Sequence, residues 1–238
     1  MTGSNAPPQL YGLVLAGGHS TRMQRDKAAL TYHGRTQLER AVALLRDKVE
    51  RVFVSVRPDQ ATDPIRAPFP QIVDRQSGLG PIAGILAAQA THPEAAWLIV
   101  ACDLPFLDEQ TLSSLIGQRD PQRQATAYRS SYNGLPEPLC SIFEPGTREA
   151  LEKYVAGGRD CPRKFLINAD VRLLKQPNRR ALDNINTPDE YGSAVKNLAE
   201  TKPAFRLAED SAVPPPSAFV CSITLSCANR PAAAMRRS

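Results

Sequence analysis

Several things are scarce in this 238-residue chain, and each shortage removes a class of function. No run approaches the roughly 18 consecutive apolar residues that a membrane-spanning helix needs, so the sequence predicts no bilayer span. Histidine occurs only at 19, 33 and 92, and the five cysteines, Cys102, Cys140, Cys161, Cys221 and Cys227, form no C-x-x-C pair. Neither a structural zinc site nor a disulfide framework is therefore indicated, and no Ser-His-Asp spacing stands out. Aromatics make up 6% of the residues and do not alternate with a basic stripe, as a surface for single-stranded nucleic acid would require. The formal charge of +5 is also unevenly placed: from Thr201 onward five basic residues face two acidic ones, leaving the first 200 residues close to balance. Nucleic-acid binding by the main domain is not expected. The segment Met1 to Gln9 is polar and has no charged start followed by an apolar stretch, so the expectation is no secretory signal and a cytoplasmic location.

With 42% hydrophobic and 22% charged residues, the chain has the balance of a globular domain large enough for a substantial core. Tyr11 to Leu15 is a short apolar run that ends in Ala16-Gly17-Gly18 and reads as a buried strand opening into a loop. Thr36-Gln37-Leu38-Glu39 offers a helix capping box, with Leu38, Val42, Leu45 and Val49 at helical spacing. Further strands are expected at 52–56, 71–73, 96–101, 125–129 and 138–143, and helices at 81–90, from about Asp108, and from Thr187-Pro188-Asp189-Glu190. Strands apolar on both faces and alternating with helices predict an α/β fold, three-layered, with a mostly parallel central sheet. The expected organisation is a flexible N-terminus over 1–10, a domain over 11–198, and a weakly ordered Pro/Ala/Ser-rich tail over 199–238, in which 219–225 has strand character.

Three places carry candidate chemistry. The run Leu15-Ala16-Gly17-Gly18-His19-Ser20-Thr21-Arg22-Met23-Gln24-Arg25-Asp26-Lys27 combines glycines directly after a strand, small hydroxyls and cations. Its composition suits a phosphate cradle, yet it is neither G-x-G-x-x-G nor G-x-x-x-x-G-K-[ST], and a plain glycine turn with solvated cations fits the same residues. Asp103 follows a hydrophobic strand, where open α/β sheets bind ligands and where a carboxylate can hold Mg²⁺ against phosphates; a turn cap before Pro105 is the alternative. Asp74 sits likewise just after a strand, and Asn184 and Asn186 close another apolar segment. Gly78-Leu79-Gly80-Pro81-Ile82-Ala83-Gly84 enters a helix whose free N–H groups suit a base or a second substrate. Cys102 reads as core packing.

Taken together, Leu-Ala-Gly-Gly-His-Ser-Thr-Arg-Met with Asp-Lys-Ala at 26–28, Gly-Pro-Ile-Ala-Gly at 80–84, Cys-Asp-Leu-Pro-Phe at 102–106, Glu-Pro-Leu-Cys at 137–140 and Asn-Ile-Asn-Thr-Pro at 184–188 resemble the molybdenum-cofactor guanylyltransferases in order and spacing, over about Tyr11 to Leu198. The resemblance implies a Rossmann-like nucleotidyltransferase fold and transfer of GMP from GTP to molybdopterin, with release of pyrophosphate. It implies that Leu15, Ala16, Gly17, Gly18, Ser55 and Asp74 line the nucleotide, and that Arg22 and Lys27 neutralise the triphosphate. Asp103 would contact the nucleotide and hold Mg²⁺, while Gly80, Gly84, Asn184 and Asn186 would border the pterin side or assist the metal. A molybdoenzyme or chaperone partner is a further expectation.

The sequence departs from that family at two of these places: Gln24 stands where glycine is usual, and Ser55 where a nucleotide-contacting asparagine is common. The tail beyond Leu198 has no counterpart in the family pattern. The alternatives are the same fold acting as a cytidylyl- or sugar-phosphate nucleotidyltransferase, or a non-catalytic carrier of the pterin cofactor.

Overall fold

The computed structural model describes residues 6–18 and 26–200, the side chains of 199 and 200 excepted. Arg22, Gln24 and the tail 201–238 with its strand-like stretch therefore lie outside the described residues. The strands are β1 (Leu10–Leu15), β2 (Thr31–Tyr32), β3 (Arg35–Thr36), β4 (Arg51–Val56), β5 (Gln71–Val73), β6 (Ala96–Ala101), β7 (Ala125–Arg129), β8 (Pro136–Phe143) and β9 (Val171–Lys175). The helices are α1 (Gln37–Arg46), α2 (Pro81–Thr91), α3 (Glu109–Gly117), α4 (Thr147–Ala156), α5 (Pro162–Asn168) and α6 (Pro188–Glu200).

Seven strands form one sheet in the order β5-β4-β1-β6-β8-β7-β9. β8 alone runs against its two neighbours; all other pairs are parallel. Side chains alternate along each strand and feed two cores. Val14, Val54, Leu98 and Val100 pack under α1 and α3, through Leu38, Val42, Leu45 and Leu112. On the other face, Leu13, Trp97, Ile99 and Phe143 pack under α2, α4 and α5, through Ile82, Ile85, Leu151 and Phe165. This is the three-layer, mostly parallel architecture that the apolar strands imply, and all six residues of β6 are buried as the centre of such a sheet requires.

Helix starts follow their caps. Thr36 accepts from the Glu39 N–H at 3.2 Å while the Glu39 carboxylate accepts from the Thr36 N–H at 2.7 Å, and Thr187 and Glu190 repeat the arrangement at the start of α6. β1, β4 and α2 differ from their expected limits by one residue each, and two larger differences occur. β8 begins at Pro136 rather than at 138, because proline is tolerated as the first residue of a strand. The stretch expected to be flexible over 1–10 is tied down near its end: the Pro8 carbonyl accepts from Arg119 at 2.9 Å, the Gln9 carbonyl from the Ala96 N–H at 2.9 Å, and Leu10 already belongs to β1.

Candidate active site

The site lies along the carboxyl ends of β1, β4, β5 and β6, where parallel strands leave their last backbone groups for loops and ligands. Leu15, Ala16, Gly17 and Gly18 run out of β1 along the wall of a cavity of about 1160 Å³, which Ser55, Asp74, Gly80 and Asp103 also line. Ala16 is anchored to β4 by its N–H, which donates to the Ser55 carbonyl at 3.2 Å. A Cβ on Gly17 would stand 3.5 Å from Asp74 Oδ2, so the chain passes close beside that carboxylate.

Asp26 caps a single helical turn at Lys27–Ala29 by accepting from the Ala28 N–H at 3.0 Å. That turn sends Lys27 into the cavity, where its Nζ donates to Asp103 Oδ2 at 2.9 Å and to Asn186 Oδ1 at 2.7 Å. The Asp103 carbonyl in turn accepts from the Ile185 N–H at 3.2 Å, which is why Asn186, distant in sequence, arrives beside Lys27. The other carboxylate oxygen, Asp103 Oδ1, is buried and has no hydrogen-bond partner among the described residues. A carboxylate oxygen withdrawn from water without a partner is costly, and the hard oxygen suits a divalent cation. Among the described residues no group of three or more His, Cys, Asp or Glu could hold a metal, so a cation there would share its coordination with ligand and water oxygens.

Ser55 is buried, and its hydroxyl donates to Asp74 Oδ1 at 2.8 Å. Burial pushes the Asp74 carboxyl above the ordinary carboxylate value, an effect that the Ser55 hydroxyl and Arg57 only partly offset. Gly84 lies directly over this pair, and a Cβ there would fall 2.4 Å from Ser55 Oγ. It does not line that cavity: its role is to let α2 approach β4. Gly80, at φ +54°, occupies backbone space that favours glycine and turns the chain into Pro81 at the head of α2. It faces the larger cavity with the β1 loop.

Across Asp103 lies a second cavity of about 680 Å³, and Asp103 and Leu139 belong to both walls. Asn184 lines this one, whereas Asn186 lines the first. Arg163 donates to the Glu137 carboxylate at 2.8 Å, the Tyr132 hydroxyl donates to Asp183 at 2.7 Å, and the Arg180 guanidinium stands 4.6 Å from the centre of the Phe106 ring. Cys102 and Cys140 are buried thiols pushed up to about 12, Cys102 by burial and then by the Asp103 charge, so neither is a nucleophile at neutral pH.

Two arginines in the site were not legible in the sequence. Arg57 follows β4, donates to the Gly17 carbonyl, and forks onto Asp59 at 3.0 and 2.9 Å. Its position just past a parallel strand, shared with Asp74 and Asp103, is the signal that marks it. Arg66 is wholly buried beside Ala16 and Asp26, and nothing in Asp63-Pro64-Ile65-Arg66 distinguishes it from a turn residue.

The model of the MobA-like NTP transferase domain matches residues 12–173. The chain belongs to this family. Among its relatives, the molybdenum cofactor biosynthesis bifunctional protein of a Synechocystis species is 39% identical over 183 residues, which is 77% of this chain and 53% of that protein. The chain thus spans about half the length of that relative. The molybdenum cofactor guanylyltransferase of Xanthomonas euvesicatoria is 30% identical over 191 residues, covering 77% of this chain and 93% of that one. A solved structure, the molybdopterin-guanine dinucleotide biosynthesis protein A of Archaeoglobus fulgidus, superposes with a TM-score of 0.67 at 22% identity over 80% of this chain and 100% of that chain. This family membership makes the chain a nucleotidyltransferase, and its sheet and layers are those of the family fold. Among the described residues no helix is long and apolar enough to cross a membrane.

Proposed function

We infer that the protein is a molybdenum cofactor guanylyltransferase: it moves GMP from GTP to the terminal phosphate of molybdopterin, forming the guanine dinucleotide and releasing pyrophosphate. The observation that carries this reading is Asp103, which stands between two cavities with one oxygen on Lys27 and the other buried and unpaired. One cavity then holds the nucleotide, the other the acceptor, and the reacting phosphates meet at the carboxylate they share.

The residues fit a divalent cation, Mg²⁺ in this reading, held through Asp103 Oδ1, with the remaining coordination taken from phosphate and water. An ion held there by Asp103 would supply positive charge to offset that of the phosphates. The chain's own groups do the positioning. Lys27, fixed by Asp103 and Asn186, places a positive charge beside the departing pyrophosphate. The N–H groups of Gly17 and Gly18, which donate to no described residue, are presented to phosphate oxygens, and Arg22 adds a second cation. Asp74, held by Ser55, accepts from the nucleoside; Asn184 meets the acceptor. No protein nucleophile is needed, and the acceptor phosphate is already ionised at neutral pH, so a general base is dispensable, consistent with two cavities that no histidine lines among the described residues.

The test is a product assay with molybdopterin, Mg²⁺ and each of GTP, CTP, ATP and UTP. A guanine dinucleotide from GTP alone is the expected result. A product from another nucleotide leaves the transfer chemistry and overturns the guanylyl assignment; no product from any of the four overturns the molybdopterin assignment.

A further inference from the structure

Arg66 sits in the irregular segment between β4 and β5, outside every motif, and is among the largest wholly buried side chains of the protein. Its guanidinium reaches two places that are ten positions apart in the chain. Nε and Nη2 donate to the Ala16 carbonyl at 3.1 and 2.8 Å, while Nη1 and Nη2 donate to the two Asp26 carboxylate oxygens at 2.6 and 2.9 Å. A third contact, from Nη1 to Asp63 Oδ2 at 3.2 Å, completes its surroundings. Stability alone explains such a residue poorly, because buried ion pairs are commonly replaceable by apolar side chains at little loss. What Arg66 joins is more informative. Ala16 lies on the wall of the larger cavity, and Asp26 caps the turn that aims Lys27 at Asp103. The fork is also specific to arginine: a lysine ammonium, with three donors on one atom, cannot lie along a carbonyl and a carboxylate in this way.

We propose that Arg66 is a positioning residue for nucleotidyl transfer: it touches no substrate, but locks the Ala16 carbonyl to the Asp26 carboxylate and so fixes Lys27 relative to the β1 end of the nucleotide cavity. The proposal rests on the nucleotidyltransferase reading of the site, and its experiment separates the two.

In the full-length protein, Arg66→Lys and Asp26→Asn are compared with wild type for Mg²⁺–GTP affinity by calorimetry, for kcat and KM toward each substrate, and for melting temperature. Asp26→Asn keeps an oxygen for the Ala28 N–H and leaves Arg66 on Ala16, so it loosens one end of the clamp only. Arg66→Lys is expected to weaken GTP binding about 10-fold and to lower kcat by up to about 100-fold, the rate cost of a misplacement by about 1 Å, with the acceptor KM unchanged. Asp26→Asn moves the same quantities in the same direction by less. Folded Arg66→Lys with wild-type GTP affinity and kcat, whatever its melting temperature, overturns the proposal and leaves Arg66 a purely structural residue. If Arg66→Lys does not fold, Asp26→Asn decides: unchanged GTP binding and kcat overturn the proposal, and a selective loss toward GTP supports it. A wild-type protein that binds none of the four nucleoside triphosphates overturns the reading of the site and the role of Arg66 together.

Discussion

Replacing Asp103 with asparagine should separate stability from activity, because the two carboxylate oxygens have opposite fates in the free protein. Oδ2 makes a charge-assisted bond to Lys27 between side chains only 18% and 17% exposed, and such bonds contribute about 1.5–3 kcal/mol. Oδ1 is buried without a partner, which costs about 1–3 kcal/mol. In Asp103→Asn the amide oxygen keeps Lys27 as a neutral acceptor, losing roughly half of the first amount, while an amide in place of the orphaned oxygen relieves part of the second. The two changes nearly cancel. The expected shift in stability is within about 1 kcal/mol, or about 2–4 °C in Tm for a domain of this size. Transfer, by contrast, should fall by at least about 10²–10³, the loss typical of removing one preorganised electrostatic group from a transition state. Thermal melts with and without Mg²⁺–GTP, alongside single-turnover assays, read both quantities, and the nucleotide-dependent rise in Tm should shrink sharply. A variant that turns over within a few-fold of wild type would refute this account and leave Asp103 a turn cap before Pro105, a role that asparagine fills as well as aspartate.

Three further expectations follow from the same geometry. Gly84→Ala pushes a methyl against Ser55 Oγ and Leu15 Cδ2, so overpacking of about 1–3 kcal/mol outweighs a helix-propensity gain of about 1; in a Ser55→Ala background the same change should be milder, a coupling that chemical denaturation of the double-mutant cycle measures. Because burial holds the Asp74 carboxyl above the ordinary carboxylate value, its neutral form is favoured by folding, and that contribution is complete below the ordinary value and lost as pH rises through the folded one. Asp74→Asn should therefore stabilise the nucleotide-free protein near pH 7 and change it little at acid pH, with equal effects at both pH values counting against the assignment. Iodoacetamide at pH 8 should leave Cys102 and Cys140 unmodified in the folded protein, as peptide mass spectrometry would show; rapid labelling of either would contradict their burial.

Much of the sheet was legible because short apolar runs mark its strands, β6 most clearly because it is buried throughout: β5, β6 and β7 carry their expected limits, and α1 and α6 begin at the capping boxes that announced them. The stretch after β8 was opaque for an opposite reason. α4 presents Arg148, Glu149, Glu152 and Lys153 to solvent and buries little beyond Thr147, Leu151 and Tyr154, while β9 is an edge strand with one buried residue, so neither shows a strong period. Within the site, strand-end carboxylates were readable from position alone. Arg57 and Arg66 were not, since their partners are backbone carbonyls and carboxylates supplied by distant chain. Gly84 was visible as a glycine, but its packing against Ser55 was not, because that depends on how closely α2 descends onto β4.

The reversed entry of β8 between β6 and β7 has a consequence for how such a protein can change. Residues up to Asp103 build nearly all of the larger cavity, residues from Asp103 onward build the smaller one, and the antiparallel strand is the seam at which the two halves of the chain meet. On the proposed reading, a chimera joined just past Asp103 would take its donor and recipient preferences largely from different parents, Leu139 and Asn186 being the residues of the second half that also line the first cavity.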